Sequence, residues 1–244
     1  MSGTSGDIRG ILFDKDGTLL DYHATWMPLN REAALAAAGG DAVLAGRLLA
    51  AGGYDAAKDC IVPDSVLISG SNDDLGACWA EILDADAVEL TDRLSALFEA
   101  GSAATAVAVA GLAETLAALA ARGLVLGVAT NDSEEGAYNS LGPFGVLDHF
   151  PFVAGYDSGH GAKPGPGMVQ GFCQAMDLMP EAVAVVGDSR HDMEMGRNAG
   201  AGLLVGVLTG SAAHDDLAPH AHHVLESIAE LERLLEEVAA RLRA

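Results

Sequence analysis

The amino-acid sequence predicts an α/β protein whose parallel sheet is interrupted after its first strand by an all-helical insertion. In residues 112–241, short apolar runs that end in turn residues alternate with helical stretches. This alternation is typical of βαβ units and favours a doubly wound parallel sheet. Residues 24–108 instead repeat alanine and leucine at helical spacing between glycines. A chain of 244 residues, 50% of them hydrophobic, can bury a large core that carries such an insertion.

The individual elements are predicted from apolar runs and from the capping and turn residues that bound them. Residues 8–13 form the first strand, which stops at Asp14-Lys15-Asp16-Gly17-Thr18. The insertion contains four or five short helices and no convincing strand. The later elements, in chain order, are a helix over 112–122, a strand over 124–129, a helix that Ser133 caps and that runs to 141, a weak strand over 152–154, a helix over 167–176, a strand over 182–186, a helix that contains 192–199, a strand over 203–207 and a helix over 226–241.

The charge balance argues against polyanionic partners. The 35 acidic and 13 basic residues give a formal net charge of −22. Such a field repels the phosphates of nucleic acids and anionic lipids, so we expect neither nucleic acid nor a membrane as a partner. An anionic substrate would need a local positive charge, which a bound metal cation can supply. No obligate protein partner is evident from the sequence.

Cysteine usage and the distribution of apolar residues predict a cytoplasmic protein. Residues 1–6 have neither the basic nor the apolar segment of a signal peptide, and no apolar run reaches the about 20 residues of a membrane span. The three cysteines, Cys60, Cys78 and Cys173, are far apart and odd in number. They do not suggest a disulfide framework or a metal-binding pattern, and we expect buried free thiols.

Two apolar strands end in pairs of carboxylates. Asp14 and Asp16 follow the first strand, and Asp188 and Asp192 follow the strand over 182–186. If these strands are neighbours, four carboxylates converge, and their mutual repulsion favours a hard divalent cation such as Mg²⁺. The alternative is that each pair only begins a helix, where aspartate is favoured electrostatically.

Two further segments carry groups that suit a bound anion. Thr130 and Asn131 end another strand, just before a helix N-terminus that could receive an anion. Lys163 lies in a loop that Pro164 and Pro166 stiffen. A single loop lysine is usually exposed to solvent, but in combination with the other segments we interpret Lys163 as a site residue.

Together these segments resemble the four ordered motifs of the haloacid dehalogenase superfamily, across residues 8–207. The matching residues are Asp14-Lys15-Asp16-Gly17-Thr18-Leu19, Thr130, Lys163-Pro164 and Gly187-Asp188-Ser189-x-x-Asp192. The resemblance implies a Rossmann-like catalytic core over 1–21 and 109–244, with a helical cap domain over 22–108. The layout is most similar to the phosphoglycolate phosphatase-like branch. Lys15 stands where an apolar residue is more usual, and we expect that it need not touch substrate.

The resemblance also implies a reaction, a magnesium cofactor and a small phosphorylated metabolite as substrate. Asp14 would be the nucleophile that forms an aspartyl-phosphate, and Asp16 would be the acid and base. The residues implied to hold Mg²⁺ are Asp14, Asp16 through its backbone carbonyl, Asp188 and, in a supporting role, Asp192. The residues implied to bind the phosphoryl group are Thr130, Asn131 through its amide, and Lys163.

Other readings remain open at this point. Asp16 indicates a leaving alcohol rather than a halide, but a phosphomutase of the same superfamily would keep this residue, and a catalytically silent binding module is a further alternative. Tyr22, His23 and Trp26 either face substrate or pack within the cap. His220, His222 and His223 lie near the last short strand implied over 221–225, and we expect surface histidines rather than a metal site.

Overall fold

The computed structural model describes residues 7–62 and 65–242, and it divides the chain into two compact units. The first comprises Met1–Asp21 and Ala108–Ala244, and the second comprises Tyr22–Val107. The predicted boundary at residue 108 differs by one residue, since Ala108 belongs to the first unit. Residues 1–6, to which the signal-peptide expectation refers, lie outside the described residues.

The described strands and helices follow the predicted alternation. The strands are β1 (Gly10–Phe13), β2 (Tyr54–Asp55), β3 (Cys60–Ile61), β4 (Val125–Ala129), β5 (Phe152–Ala154), β6 (Val183–Gly187), β7 (Leu203–Val207) and β8 (His223–Leu225). The α-helices are α1 (Tyr22–Ala37), α2 (Ala42–Gly52), α3 (Val66–Ser69), α4 (Asn72–Leu83), α5 (Ala87–Thr105), α6 (Leu112–Ala121), α7 (Glu134–Leu141), α8 (Gly167–Met176), α9 (Arg190–Ala199), α10 (His214–Leu217) and α11 (Leu231–Leu242).

In the described part of the first unit, six strands form a parallel sheet in the order β5-β4-β1-β6-β7-β8. Numbered within this unit alone, the order is 3-2-1-4-5-6, which is the doubly wound Rossmann order. Strand β1 is central, and its last residue, Phe13, is paired with Val128 of β4 and Val186 of β6. The carboxyl ends of these three strands therefore lie at the same edge of the sheet, where ligands of such sheets bind.

Alternate residues of β1 face two different apolar clusters, which explains why helices cover both faces of the sheet. Ile11 and Phe13 belong to the cluster that includes residues of α6, α7 and α11. Leu12 belongs to the cluster that includes residues of α8 and α9. Because both faces are covered, the strands read as continuous apolar runs. The predicted α/β class and its doubly wound sheet are confirmed.

The second unit is largely helical and has its own apolar core. Buried residues of helices α1 to α5 form this core, which includes the fully buried Trp79 of α4. Trp26 meets Phe98 edge to face at 6.0 Å between ring centroids. The prediction of no strand in this segment is wrong, because Tyr54 pairs with Ile61 in the short antiparallel hairpin of β2 and β3. Two-residue strands are too short to produce a readable alternation in the sequence.

Three further predictions need correction. The last helix begins at Leu231 rather than 226, because Ser227 and a 3₁₀ turn over Ile228–Glu230 precede it. The cysteines are not all buried, since Cys60 is exposed and Cys173 is buried. The first strand begins at Gly10 instead of residue 8. Among the described residues, no helix has both the length and the apolar character needed to cross a membrane.

Candidate active site

Three buried carboxylates meet where β1 and β6 end. Asp14 follows β1 directly, and its backbone N–H donates to the carbonyl of Val186 in β6 at 2.8 Å. Asp14, Asp188 and Asp192 each offer a carboxylate oxygen within 4.8 Å of the others. The carboxylate of Asp16 is not in this group, so the predicted convergence of four carboxylates is reduced to three. The Asp16 carboxylate instead pairs with the ammonium of Lys15.

Burial and mutual repulsion make it unfavourable for all of these carboxylates to be ionised. Burial, together with the charges of Asp192 and Asp16, raises the pKa of Asp14 to about 7, although Lys163 opposes the shift. Burial and the charges of Asp14 and Asp192 also raise the pKa of Asp188 well above its usual value. Carboxylate oxygens that repel one another in a buried site fit a hard divalent cation, which would restore their ionised state.

Lys163 provides a local positive charge in a protein whose overall charge is strongly negative. Its side chain is 4% exposed, and Nζ forms ion pairs with Asp14 and with Asp192, the latter at 2.6 Å. The side chain of Asn131 fixes the lysine backbone, because Oδ1 accepts from the Lys163 N–H at 2.8 Å. The predicted site residue Asn131 therefore has a positioning contact that the sequence did not reveal.

Two buried threonines lie in the loops that follow β4 and β1. Thr130 is buried, and its Oγ1 accepts from the backbone N–H of Asp132 at 3.0 Å, which leaves the hydroxyl hydrogen to be donated elsewhere. Its own N–H donates to the carbonyl of Ala154. Thr18 donates from Oγ1 to Asp14 Oδ2 at 3.5 Å. Thr130 thus begins the loop between β4 and α7 with a fixed orientation.

The loop after β7 closes on the same residues and was missed by the sequence reasoning. The hydroxyl of Thr209 donates to the carbonyl of Gly17 at 2.7 Å, and the Ser211 N–H donates to Asp188 Oδ2 at 3.2 Å. Gly17 has φ +80°, and a Cβ there would lie 2.4 Å from Asp188 Oδ2. Glycine is therefore required in the signature both for its backbone angle and for space. The signal available in the sequence was a fourth strand end that is soon followed by small polar residues.

Asp192 combines two of the roles that the sequence left as alternatives. Its Oδ2 accepts from the backbone N–H and the hydroxyl of Ser189, at 3.1 and 2.6 Å, and so caps α9. Its Oδ1 pairs with Lys163. The helix-start interpretation is therefore correct for this residue, and the same carboxylate also lies within the candidate metal group.

Lys15, which was expected only not to need contact with substrate, is the second buried cation. Its side chain is 0% exposed, and Nζ lies 2.7 Å from Asp16 Oδ2 and 3.0 Å from Asp132 Oδ2. The charges of both aspartates outweigh the opposing effect of burial and raise the pKa of Lys15, so it remains an ammonium. The Asp16 carboxylate thus has an ion-pair partner of its own and is not in the candidate metal group.

The remaining candidates have contacts within their own units. In α1, the Tyr22 hydroxyl donates to the carbonyl of Leu67, and Trp26 packs in the helical core, which favours packing over substrate contact for both. His23 is partly exposed and lies 3.7 Å from Asp59. His222 accepts from the Leu204 N–H through Nδ1 at 3.0 Å. Among the described residues, His220, His222 and His223 are in no group that could hold a metal.

Comparison with known proteins assigns the chain to a family. The family model of the haloacid dehalogenase-like hydrolases matches residues 8–200. The chain is 28% identical over 195 residues to N-acetylmuramic acid 6-phosphate phosphatase of Pseudomonas putida, covering 79% of this chain and 80% of that one. It is 29% identical over 237 residues to phosphoglycolate phosphatase of Vibrio vulnificus, covering 93% and 96%.

A solved structure shows the same fold. The crystal structure of a predicted phosphoglycolate phosphatase of Haemophilus somnus matches with a TM-score of 0.73 and 20% identity, over 93% of this chain and 97% of that one. The chain belongs to the haloacid dehalogenase-like hydrolases, as its four motifs indicated. The predicted enzyme class, phosphoric monoester hydrolase, is confirmed by relatives that are named phosphatases.

Proposed function

We propose that this protein hydrolyses a small phosphate monoester similar to phosphoglycolate through an aspartyl-phosphate intermediate, with Mg²⁺ as cofactor. The observation that carries the proposal is the buried contact of Asp14 with Lys163 beside two further carboxylates. A nucleophile needs this arrangement because its own charge and that of the phosphate must both be offset.

The phosphoryl group would be bound by donors from two loops. The Lys163 ammonium would offset its charge, and the Thr130 hydroxyl and the Asn131 backbone amide would donate to its oxygens. Asn131 would act a second time through its side chain, which holds the Lys163 backbone. Phosphoryl transfer depends mainly on positioning and charge neutralisation, and these groups supply both.

Mg²⁺ would be held by the carboxylates of Asp14 and Asp188 and by the backbone carbonyl of Asp16, with Asp192 in support. The donor set fits this ion, since Mg²⁺ binds through few carboxylates together with waters and substrate phosphate. When bound, the ion would keep Asp14 ionised and stabilise charge on the transferring group.

Two residues would carry the bond changes. A carboxylate oxygen of Asp14 attacks phosphorus, the bond to the ester oxygen breaks, and Asp16 gives its proton to the leaving alkoxide. Asp16 then takes a proton from water, whose oxygen attacks the aspartyl-phosphate and releases inorganic phosphate and the free Asp14 carboxylate. The sum is one water consumed, with one alcohol and one phosphate produced.

The helical unit is proposed as the cap domain, residues 22–108 in the sequence prediction, that selects the leaving group. One of its cations, Arg31, is already engaged with Asp59 at 3.0 Å and lies over the ring of Tyr54. The net charge of −22 supports a small metabolite rather than nucleic acid as substrate, and the proposed location is the cytoplasm.

The test is release of inorganic phosphate from a panel of phosphoglycolate, sugar phosphates, nucleoside monophosphates and p-nitrophenyl phosphate, each with and without Mg²⁺. Asp14→Asn serves as the inactive control. Magnesium-dependent release from at least one ester is the expected result. Isomerisation of a sugar phosphate without release would establish a phosphomutase instead, and no reaction with any ester would favour a silent binding module.

A further inference from the structure

The fully buried Lys15 connects the proposed acid and base to the loop that would bind phosphate. Its ammonium bridges Asp16 Oδ2 at 2.7 Å and Asp132 Oδ2 at 3.0 Å. The motif requires no cation at this position for chemistry, since Lys163 already offsets the charge at Asp14. A buried ammonium is costly unless it is paired, and an apolar side chain could fill the same space without that cost.

Hydrogen bonds to neighbouring residues hold Asp132, the second ion-pair partner of Lys15, in place. Its Oδ1 accepts from the Ser133 N–H at 2.7 Å at the start of α7, and its own N–H donates to the Thr130 hydroxyl at 3.0 Å. The carboxylate that holds the ammonium is therefore tied to Thr130. Through Lys15, the Asp16 carboxylate has a fixed position relative to a residue proposed to bind the phosphoryl group.

We propose that Lys15 is a positioning residue that orients the Asp16 carboxylate for proton transfer to the leaving oxygen. This inference rests on the proposed function of Asp16 as acid and base. The Asp16 side chain is 17% exposed, so the surrounding protein does not enclose it completely, whereas the Lys15 side chain is fully buried. A displacement of about 1 Å of a catalytic group can cost a large factor in rate, so a fixed partner has a kinetic consequence.

The leaving group of the substrate provides the test. Phenyl phosphate and p-nitrophenyl phosphate have similar shapes, but p-nitrophenolate leaves with much less need of a proton. For Lys15→Met, we expect kcat/KM to fall about 10- to 100-fold with phenyl phosphate, a part of what general acid catalysis contributes. With p-nitrophenyl phosphate we expect a fall of less than about threefold. A purely structural role would lower both values by the same factor.

A double-mutant comparison shows whether Lys15 acts through Asp16. Asp16→Asn should show the same leaving-group pattern with a larger loss. Adding Lys15→Met to Asp16→Asn should then cost little more, since residues that act as a unit are not additive. Full additivity of the two losses would overturn the inference.

Two variants keep the test decisive if Lys15→Met does not fold. Lys15→Met combined with Asp132→Asn removes both partners of one ion pair, so that no carboxylate at position 132 is left without its ammonium, and Asp16 alone loses its partner. Asp132→Asn alone, at a side chain that is 19% exposed, loosens the bridge and should give the same selective loss at smaller size. Equal losses on both esters in these variants overturn the positioning role of Lys15 and leave the proposed function standing. A wild-type enzyme that releases no phosphate from either aryl ester, nor from phosphoglycolate, sugar phosphates or nucleoside monophosphates, overturns the proposed function, and the inference with it.

Discussion

The two buried lysines of the core have the same local architecture and different surroundings. Lys163 joins Asp14 to Asp192, and Lys15 joins Asp16 to Asp132. Each ammonium thus links a carboxylate of the signature loop to a carboxylate of another segment, the first turn of α9 for Lys163 and the loop after β4 for Lys15. Both side chains are almost completely enclosed, at 4% and 0% exposure.

The difference lies in the balance of charge around each lysine. Around Lys163, three mutually close carboxylates share one ammonium, and the pKa of Asp14 rises to about 7 because burial and neighbouring carboxylates outweigh the lysine. Around Lys15, two carboxylates share one ammonium. With every group ionised, the group around Lys163 has two excess negative charges and the group around Lys15 has one. The larger excess can accept a further cation and an anionic substrate together, whereas the smaller one holds loops in place. The same ion-pair arrangement therefore suits binding in one case and positioning in the other.

The largest effect is expected at the carboxylate that Lys163 holds. Asp14→Asn should lower kcat/KM more than about a hundredfold for every ester, because an amide cannot form the acyl phosphate and several kcal/mol of barrier lowering are lost. Phosphate release from phenyl and p-nitrophenyl phosphate measures this loss. Retention of more than about a hundredth of the wild-type rate would indicate another nucleophile. Circular dichroism should show an unchanged fold.

Metal removal should abolish activity, whereas loss of the Lys15 ion pairs should not change the affinity for metal. A chelator should stop phosphate release, and Mg²⁺ should restore it. Ca²⁺ should not, because its larger and looser coordination shell misplaces the nucleophile. Lys15→Met should leave the magnesium concentration for half-maximal activity unchanged, while Asp188→Asn should raise it. Full activity in chelator would contradict the proposed metal group.

Lys163→Met should lower kcat/KM for phenyl and p-nitrophenyl phosphate by the same factor, about 10²- to 10³-fold, as expected for loss of a charged group that stabilises the transferring phosphoryl group. The matched control is Lys58→Met, since Lys58 is 77% exposed in the helical unit and should keep wild-type kinetics. A leaving-group-selective loss in Lys163→Met would show that both lysines act in the same way and would remove the contrast drawn above.

Local sequence patterns were sufficient for the fold and for most of the candidate site. The strands and their terminal carboxylates could be predicted because each is specified within about ten residues, by an apolar run and the turn that ends it. Asp14 and Asp188 come together because β1 and β6 pair in register, with Phe13 opposite Val186. Local patterns predict this meeting only on the condition that the two strands are neighbours, because strand order is a property of the whole chain.

Pairings between distant segments could not be predicted. The sequence predicts only that Lys15 need not touch substrate. Its partner Asp132 lies in another segment, and nothing in the residues around either one reveals the contact. The capping contact of Asp192 with Ser189 was visible as an alternative, but its pairing with Lys163 was not. For Asp192 the local pattern correctly predicts the helix start. For both residues the long-range ion pair is a further contact that the local pattern does not contain.

The smallest expected effect is on the stability of the metal-free protein. The pKa of Asp14 is about 7 in the folded protein, against 3.8 for an ordinary aspartate. Between these values the folded state holds a proton that the unfolded state has released, so the free energy of unfolding falls as pH rises from about 4 to 7. Asp188 also has a raised pKa and contributes in the same direction.

Asp188→Asn should therefore raise the melting temperature of the metal-free protein at pH 8 by about 3 °C or more, corresponding to about 1 kcal/mol, and should change it little near pH 4. The asparagine oxygen can still accept from the Ser211 N–H, so the loop contact is preserved. Asp92→Asn, at an exposed position of α5, is the control and should not change the pH dependence. Mg²⁺ should stabilise the wild type at pH 8 and Asp188→Asn less. A variant that melts below the wild type at pH 8 without metal would mean that the carboxylates beside Lys163 are already balanced, and the distinction between the two lysines would rest on the kinetics alone.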